Sequence, residues 1–583
     1  MTVPTTSTTR QQAELATSRR LLAAAVNEGL VSCRHVAAAA APLALRLSPQ
    51  SQSQSPWQPN DTDEEQSPFA HEWIEATLVP ERAAQLHSPD TTAVLRALDA
   101  LDLAPAAALT LHTGEAVTHP AVLLATLARW LGIPQEAVVR LGDELSNSAD
   151  NQYLAFEHQR QRQRQGQRTQ LSLLNSTAIE WEQAIVEGHP SHPLHRTKLG
   201  LSPAQVVAWS SEYAARLPVR FVALPRANVV VVNDYEARLA AWLPSETVAA
   251  TPADHVVIPV HPGQLDKIRL VAPTAVVLPG SQDVDAQTSV RSVHPVAQPG
   301  FDLKLSLAIH TTSAVRTISP QSVHNGSRVV AALRPIVPST LVLIDEPAAA
   351  ALKHEDDAVA KHLACILRDD PTSNLAKGER LIVAGSLNET DRSIAKAATP
   401  LVISAFGLDT RAKRLAFLDE YVRVFLDTFV PPLRDHGVAF EAHGQNVLVR
   451  VDAATGSVKG FAVRDFGGVK IHQATFAATS PDRKPIELFP GSTITADTLY
   501  EANAKLFHTG VQHHLHYLVR SLGLHFDGSG WEIVRHHARR VLLGKGEMFS
   551  WWMEPTVEFK RLLTMRLENT PYDVSAIKFK KFI

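Results

Sequence analysis

At 583 residues the chain is too long for one ordinary hydrophobic core, so two to four domains or subdomains are expected. Its 45% hydrophobic and 20% charged content describes a soluble globular protein, and a formal net charge of -3 excludes a chain-wide basic signature for nucleic acid. Two isolated cysteines, Cys33 and Cys365, make neither a disulfide framework nor a zinc site. The polar N-terminus lacks the apolar stretch of a secretory signal, and the longest apolar run, Val36 to Leu45, falls well short of the roughly 20 residues a membrane span needs. A cytoplasmic protein with small-molecule substrates and no nucleic-acid or membrane partner is expected.

In chain order, residues 11–46 are rich in Ala, Leu and Arg and read as helix. Residues 47–68 are a Gln/Ser/Pro/Asp stretch that reads as a flexible loop. Helical patterns return at 91–103, 119–132 and 134–146. His158 to Arg168 alternates Gln and Arg, which suits a solvated helix face better than a nucleic-acid tract. The first 185 or so residues are therefore expected to be mostly helical. From 188 to about 350, short β-branched runs appear: Val219 to Leu224, Asn228 to Asn233, Val256 to Val260, Ala275 to Leu278 and Arg328 to Ala332. Their Pro, Gly and Asp separators suggest a mostly antiparallel sheet. Beyond about 355 helices dominate again, interrupted by a hairpin of Val447 to Val451 and Val458 to Val463. The tail, 497–526 and 531–570, reads as helix. The class is α+β.

Three clusters carry chemistry. The first runs from Gly188 to Gly200 and contains His189-Pro190-Ser191-His192-Pro193, followed by His195, Arg196 and Lys198. Proline forbids a helix there, and a rigid loop with cations can grip phosphate without reorganising. The second contains Ser289 and Arg291, then a strand from Phe301 to Ile309 that directs Lys304 away from its apolar neighbours, then Thr311, Thr312, Ser313 and Arg316. Hydroxyls and a guanidinium at a strand end suit a carboxylate. In the third, Glu441-Ala442-His443-Gly444-Gln445-Asn446 enters the hairpin and Arg464-Asp465-Phe466-Gly467-Gly468 leaves it. Pairing brings Asn446 and Asp465 to one end, a sensible partial shell for Mg²⁺. His443 is placed to polarise a substrate oxygen or move a proton.

In this order and spacing the clusters resemble the siderophore synthetases that work without a peptide-synthetase template, the aerobactin-synthetase type. The similarity runs across most of residues 185–570, including Lys560-Arg561-Leu562-Leu563-Thr564-Met565-Arg566. It implies a cupped hand: a helical N-terminal thumb over 1–187, β-rich fingers over 188–400 and a palm over 401–583 distantly like a kinase. It implies adenylation of a carboxylate, most often citrate, by Mg-ATP, then attack by an amine of polyamine or hydroxylamine type, with AMP and pyrophosphate released. Family members are often dimers. By position, His189, Ser191, His192, Arg196 and Lys198 would lie in the nucleotide loop. Ser289, Arg291 and Lys304 would contact the phosphates. Thr312, Arg316, His443 and Gln445 would surround the carboxylate, with Lys304, Arg316 and His443 as catalytic groups. Asn446 and Asp465 would hold the metal, and Lys560 and Arg566 would lie near the substrate. Two departures stand out: Arg196 and Lys198 exchange the usual order of Lys and Arg, and Gly263 stands where the family usually has Trp. A kinase-like phosphotransferase that releases ADP is the alternative function.

Overall fold

A computed structural model of the chain describes residues 8–36, 44–49, 69–85, 97–166, 170–297, 299–312, 314–373, 375–391, 399–570 and 576–580. The first helix spans Thr9–Asn27 and opens on a capping box between Thr8 and Gln11. It ends well before the expected limit at 46. The chain instead enters strand Val31–Val36, whose alternate residues Val31, Cys33 and His35 are buried. A period of two overrides the Ala and Leu content here.

Strands Val31–Val36, Ala44–Pro49, Ile74–Thr77, Leu109–Leu111 and Ala116–Val117 form an antiparallel five-stranded sheet. The sheet is an addition to the expected mostly helical N-terminal region, where the helices Thr9–Asn27, Pro120–Leu131 and Gln135–Arg164 still outweigh the strands. Leu47, Ser48 and Pro49, read as the start of a loop, close the second of these strands. The rest of that loop, 50–68, lies outside the described residues, as do residues 91–96 of the helical pattern at 91–103. Only a 3₁₀ turn, Ala100–Asp102, forms in the remainder of that pattern. The other two expected helices are present as Pro120–Leu131 and Gln135–Arg164. The second continues through the Gln/Arg stretch as far as Arg164, and residues 167 and 168 lie outside the described residues.

The central region is an antiparallel nine-stranded sheet. Strand Phe301–Leu305 lies inside it, paired on one side with Ser292–Pro295 and on the other with Ala364–Asp369. Phe301, Leu303 and Leu305 enter an apolar core, whereas Asp302 and Lys304 face the opposite side and are buried there. One expected strand is absent. Arg328 to Ala332 belongs to helix Pro320–Leu333, where Ser319 caps a Pro start and Val323, Val329, Val330 and Leu333 bury one face.

In the C-terminal region, hairpin strands Val447–Asp452 and Val458–Val463 sit between Glu379–Val383 and Leu341–Leu343. Helix Arg411–His436 supports them: Tyr421, Phe425 and Phe429, four residues apart, all pack on Phe461. The expected helical tail is interrupted twice. Phe507–Leu515 winds as a π-helix, and Thr556–Lys560 is a strand paired with Ala576–Lys580.

Three large cores result, and they do not respect the expected boundaries at 187 and 400. The core under helix Arg411–His436 includes Trp181, Ile185 and Ile382. The N-terminal core includes Leu563 and Leu567, so the last helix returns to the first. Among the described residues no helix is long and apolar enough to cross a membrane.

Candidate functional site

A cavity opens where the hairpin meets the central sheet, and Ser289, Arg291, Arg316, Arg368, Asn446 and Asp465 are among its lining residues. The hairpin explains two of these. Val447 pairs with Val463, and the Arg464 N–H donates to the Asn446 carbonyl at 3.0 Å, so both ends of the hairpin deliver their next side chain to one place. Asp465 has φ 66°, a left-handed backbone that turns the chain at this point.

Charge at the cavity is arranged in layers. Lys304 Nζ lies 3.1 Å from Asp465 Oδ1 and 3.5 Å from Glu346 Oε1. Arg368 donates to the same Glu346 oxygen from Nη2 at 2.7 Å. Burial opposes ionisation of Asp465, but Lys304, Arg368 and Arg291 outweigh it and hold the carboxyl well below its usual range. Arg464 is anchored by buried Glu182, which also accepts from the Thr288 N–H at 2.9 Å.

Arg291 and Arg316 differ from these. Among the described residues neither has a carboxylate partner within ion-pair distance. Arg291 donates to the Thr317 carbonyl, and its Nε is buried with no partner. Arg316 is held by the hydroxyls of Thr311 and Thr312, the latter at 3.4 Å. Burial and the nearby Arg291 push the Arg316 guanidinium down to about 10, which still leaves it charged at neutral pH. The cavity therefore holds an excess of fixed positive charge with an orphaned donor, a preformed seat for a polyanion.

Glu441 stands behind the Asn446 side. It pairs with Lys505, accepts from Asn446 Nδ2 at 3.1 Å and lies 3.8 Å from His443 Nε2. Asn446 is thereby oriented with its amide nitrogen on Glu441 and its oxygen left for another partner. A Cβ at Gly468 would collide with the Glu441 carboxylate, so this position needs glycine. His443 Nδ1 accepts from the Gln445 N–H at 3.2 Å, which leaves the neutral ring's proton on Nε2. Burial lowers the His443 pKa and Glu441 partly opposes this. The π-helix braces the segment: Thr509 accepts from the Ala442 N–H at 3.0 Å, and His514 Nδ1 lies 3.0 Å from the Ala442 carbonyl.

The His-Pro segment departs from expectation. Arg196 and Lys198 both pair with buried Glu212, Lys198 Nζ also donating to Ser210 at 2.8 Å, so neither cation faces the cavity as expected for phosphate binding. His195 is held between the Glu187 carbonyl at 2.7 Å and Thr17 at 3.1 Å. Gly188 has φ 72°, and a Cβ there would lie 2.8 Å from the His195 carbonyl oxygen. His189 and His192 are kept neutral by burial, His189 well below the ordinary value and His192 at about 3. They are thus neutral rings, not cations. Ser191 lines a different pocket. Arg566, expected beside substrate, forms a two-point contact with Glu144, Nε to Oε2 at 3.1 Å. Lys560 lies at the end of strand Thr556–Lys560, and its side chain falls outside the described residues, as does Ser313. Over Gly263 sits Trp209, so a Trp from another part of the chain fills the space; a Cβ there would lie 2.7 Å from its ring.

Glu346, Arg368, Glu182 and Lys505 belong to this site, although the sequence reading assigned them nothing. The one signal available was Arg368 itself, a charge in the apolar strand Ala364–Asp369.

A family described as "IucA / IucC family" matches residues 177–389, and one described as "Ferric iron reductase FhuF-like transporter" matches 415–574. The NRPS-independent siderophore synthetase rfs of Rhizopus delemar is 34% identical over 68% of this chain, and the match spans 65% of that relative. The NRPS-independent siderophore synthetase-like protein ankE of Aspergillus thermomutatus is 32% identical over 68% of this chain and 67% of its own. A D-ornithine–citrate ligase of Staphylococcus aureus is 23% identical over 80% of each chain. The fold is that of the ATP-bound aerobactin synthetase IucA from Klebsiella pneumoniae: TM-score 0.74 at 15% identity, covering 98% of this chain and 99% of that one.

Proposed function

The chain belongs to the NRPS-independent siderophore synthetases, an enzyme family, and on that premise we propose that it is a carboxylate–amine ligase that adenylates citrate with ATP and passes the citryl group to an amine. The observation that carries this reading is the pair Arg291 and Arg316, half-buried cations that among the described residues have no carboxylate within ion-pair distance and that share one cavity with Asn446 and Asp465. The similar protein named as a citrate ligase supports the carboxylate, and the ATP-bound structure of the same fold supports the nucleotide.

The obstacle to adenylation is repulsion between a carboxylate and a triphosphate. A citrate oxygen must attack the α-phosphorus as the bond to the β-phosphate oxygen breaks and pyrophosphate leaves. Arg291, Arg316 and Lys304 offset the repulsion and are fixed before substrate arrives, so little reorganisation is required. Thr312 orients Arg316 while giving its own hydroxyl hydrogen to the Thr311 carbonyl at 2.7 Å, and Gln445 supplies a hydrogen bond for the carboxylate. His443 presents Nε2–H to a substrate oxygen. The hard-oxygen set of Asp465, held ionised, and the Asn446 carbonyl oxygen fits Mg²⁺, which supplies charge neutralisation for the phosphates when bound. We also read the three cores as thumb, fingers and palm, with the reaction at their meeting point. Free, buried Cys33 and Cys365 agree with a reducing compartment.

The deciding experiment incubates the protein with Mg-ATP, citrate and a panel of diamines and hydroxylamines, and resolves AMP from ADP. Citrate-dependent AMP and pyrophosphate are expected. ADP would replace this reading with phosphotransfer.

A further inference from the structure

Away from the cation cavity, two imidazoles and a carboxylate meet at one end of the N-terminal sheet. They belong to His71, Glu72 and His112, none of which lines that cavity. Strand Ile74–Thr77 pairs antiparallel with Leu109–Leu111, Ile74 opposite Leu111. The ladder runs one step further, because the His112 N–H donates to the Trp73 carbonyl at 2.9 Å. The residues just before one strand therefore lie beside the residue just after the other.

The donors converge. One donor atom from each side chain lies within 4.8 Å of the other two. The imidazole rings meet edge-on, with centroids 5.8 Å apart and planes at 90°. Around zinc, with bonds of about 2.0–2.1 Å in a tetrahedral array, neighbouring donor atoms lie roughly 3.4 Å apart. His71 is exposed and His112 half-buried, and among the described residues no hydrogen bond holds either ring. Rotation of the His71 side chain is enough to close the difference.

Glu72 is the fixed member. It is buried, and its N–H donates to the Phe69 carbonyl at 2.8 Å. Arg129 donates to Oε1 at 3.1 Å and to Oε2 at 3.0 Å, and the Trp130 indole N–H donates to Oε2 at 2.8 Å. Both partners lie on helix Pro120–Leu131. Oε1 thus carries one donor and keeps a lone pair for a cation. Outer hydrogen bonds of this kind orient a ligating carboxylate. Arg129 also cancels part of the carboxylate's charge, so affinity rests mainly on the two imidazoles. That favours borderline divalent transition metals over Mg²⁺ and Ca²⁺, which take oxygen donors.

We propose that His71, Glu72 and His112 bind a zinc-class divalent transition-metal ion, with water completing the shell. The ion ties the approach to strand Ile74–Thr77 to the turn after Leu109–Leu111 and, through Glu72, to helix Pro120–Leu131. It is a different kind of site from Asn446 and Asp465, whose donors are all oxygen. An ion that needs this folded arrangement stabilises the native chain.

The test uses the full chain without an affinity tag, freed of metal by dialysis against a chelator. Zinc chloride is titrated in competition with a chromophoric chelator, and the melting temperature is followed in parallel. One zinc per chain and a higher melting temperature are expected, and a large excess of magnesium should not displace the zinc. His71→Ala and His112→Ala should each weaken binding more than about 100-fold, since losing even an outer-shell partner costs about 10–100-fold. His71 is exposed, so its removal leaves the fold intact, which circular dichroism checks. The chain has 26 histidines, and the two variants separate this site from zinc held by others. Stoichiometric zinc that survives both substitutions overturns the proposal, as does displacement by magnesium or the absence of stoichiometric binding in the unaltered chain.

Discussion

The two pockets differ in how their charge is held. Around the cation cavity, sheet strands fix Lys304 and Arg368 on Glu346, while among the described residues Arg291 and Arg316 have no carboxylate within ion-pair distance. In the pocket that Ser191 lines, between helix Thr9–Asn27 and the π-helix Phe507–Leu515, helices and turns present Glu28 and Asp99, and each already accepts from nearby main-chain N–H groups. Cations are in excess around the first, whereas around the second Asp99 sits within the field of Arg19, Arg20 and Arg520.

The comparison breaks most sharply at Asp465. It is the acidic lining group of the cation cavity, and it balances Lys304, Arg368 and Arg291. Asp465→Asn should lower citrate-dependent AMP formation on the order of 10³-fold, the upper range for losing one preorganised electrostatic group. Circular dichroism and thermal melting would show the fold retained. Near-normal turnover would remove Asp465 from the proposed metal shell.

A second effect separates structural cations from functional ones. Arg196 and Lys198 share Glu212, and all three are buried. Glu212→Gln leaves those charges without a partner and should destabilise the fold by about 3 kcal/mol, the lower range for breaking a buried pair. Urea unfolding measures this directly. If stability is unchanged while the KM for ATP rises strongly, Arg196 and Lys198 return to the nucleotide site. Arg291→Lys comes next in size. It retains charge but loses the planar fork, and AMP formation should fall about 10²-fold. Equal activity of the two would mean that the orphaned Nε contacts nothing in the reaction.

Legibility in the sequence followed distance along the chain. Asn446 and Asp465 could be brought together on paper because one hairpin joins them, and the structure places them on one cavity. Lys304 was oriented correctly by strand alternation alone. Arg196 and Lys198 were assigned to phosphate because Glu212 belongs to a separate turn, Ser211–Tyr213, and nothing local announces the pairing. The contact of Arg566 with Glu144 was hidden for the same reason, since Glu144 lies in helix Gln135–Arg164 at the other end of the chain. The N-terminal sheet was missed because Ala and Leu are good helix formers, and tertiary pairing overrides such preferences.

The smallest expected effect tests whether the charge of the second pocket is coupled to the fold. Glu28 is buried and accepts from the N–H groups of Leu563 and Thr564 and from the Thr564 hydroxyl, which ties the first helix to the last. Burial, only partly offset by these donors, raises its carboxyl from 4.5 to about 7. The folded chain therefore binds this proton more tightly than the unfolded chain. The stability that follows is complete below pH 4.5 and is lost as pH rises through about 7. Between pH 5 and 8 the loss should be about 2 kcal/mol, at 1.36 kcal/mol per unit of pKa difference. Melting profiles over that range should slope downward in the unaltered protein and flatten in Glu28→Gln, which has no proton to lose. A slope that survives the substitution would place the titrating group elsewhere.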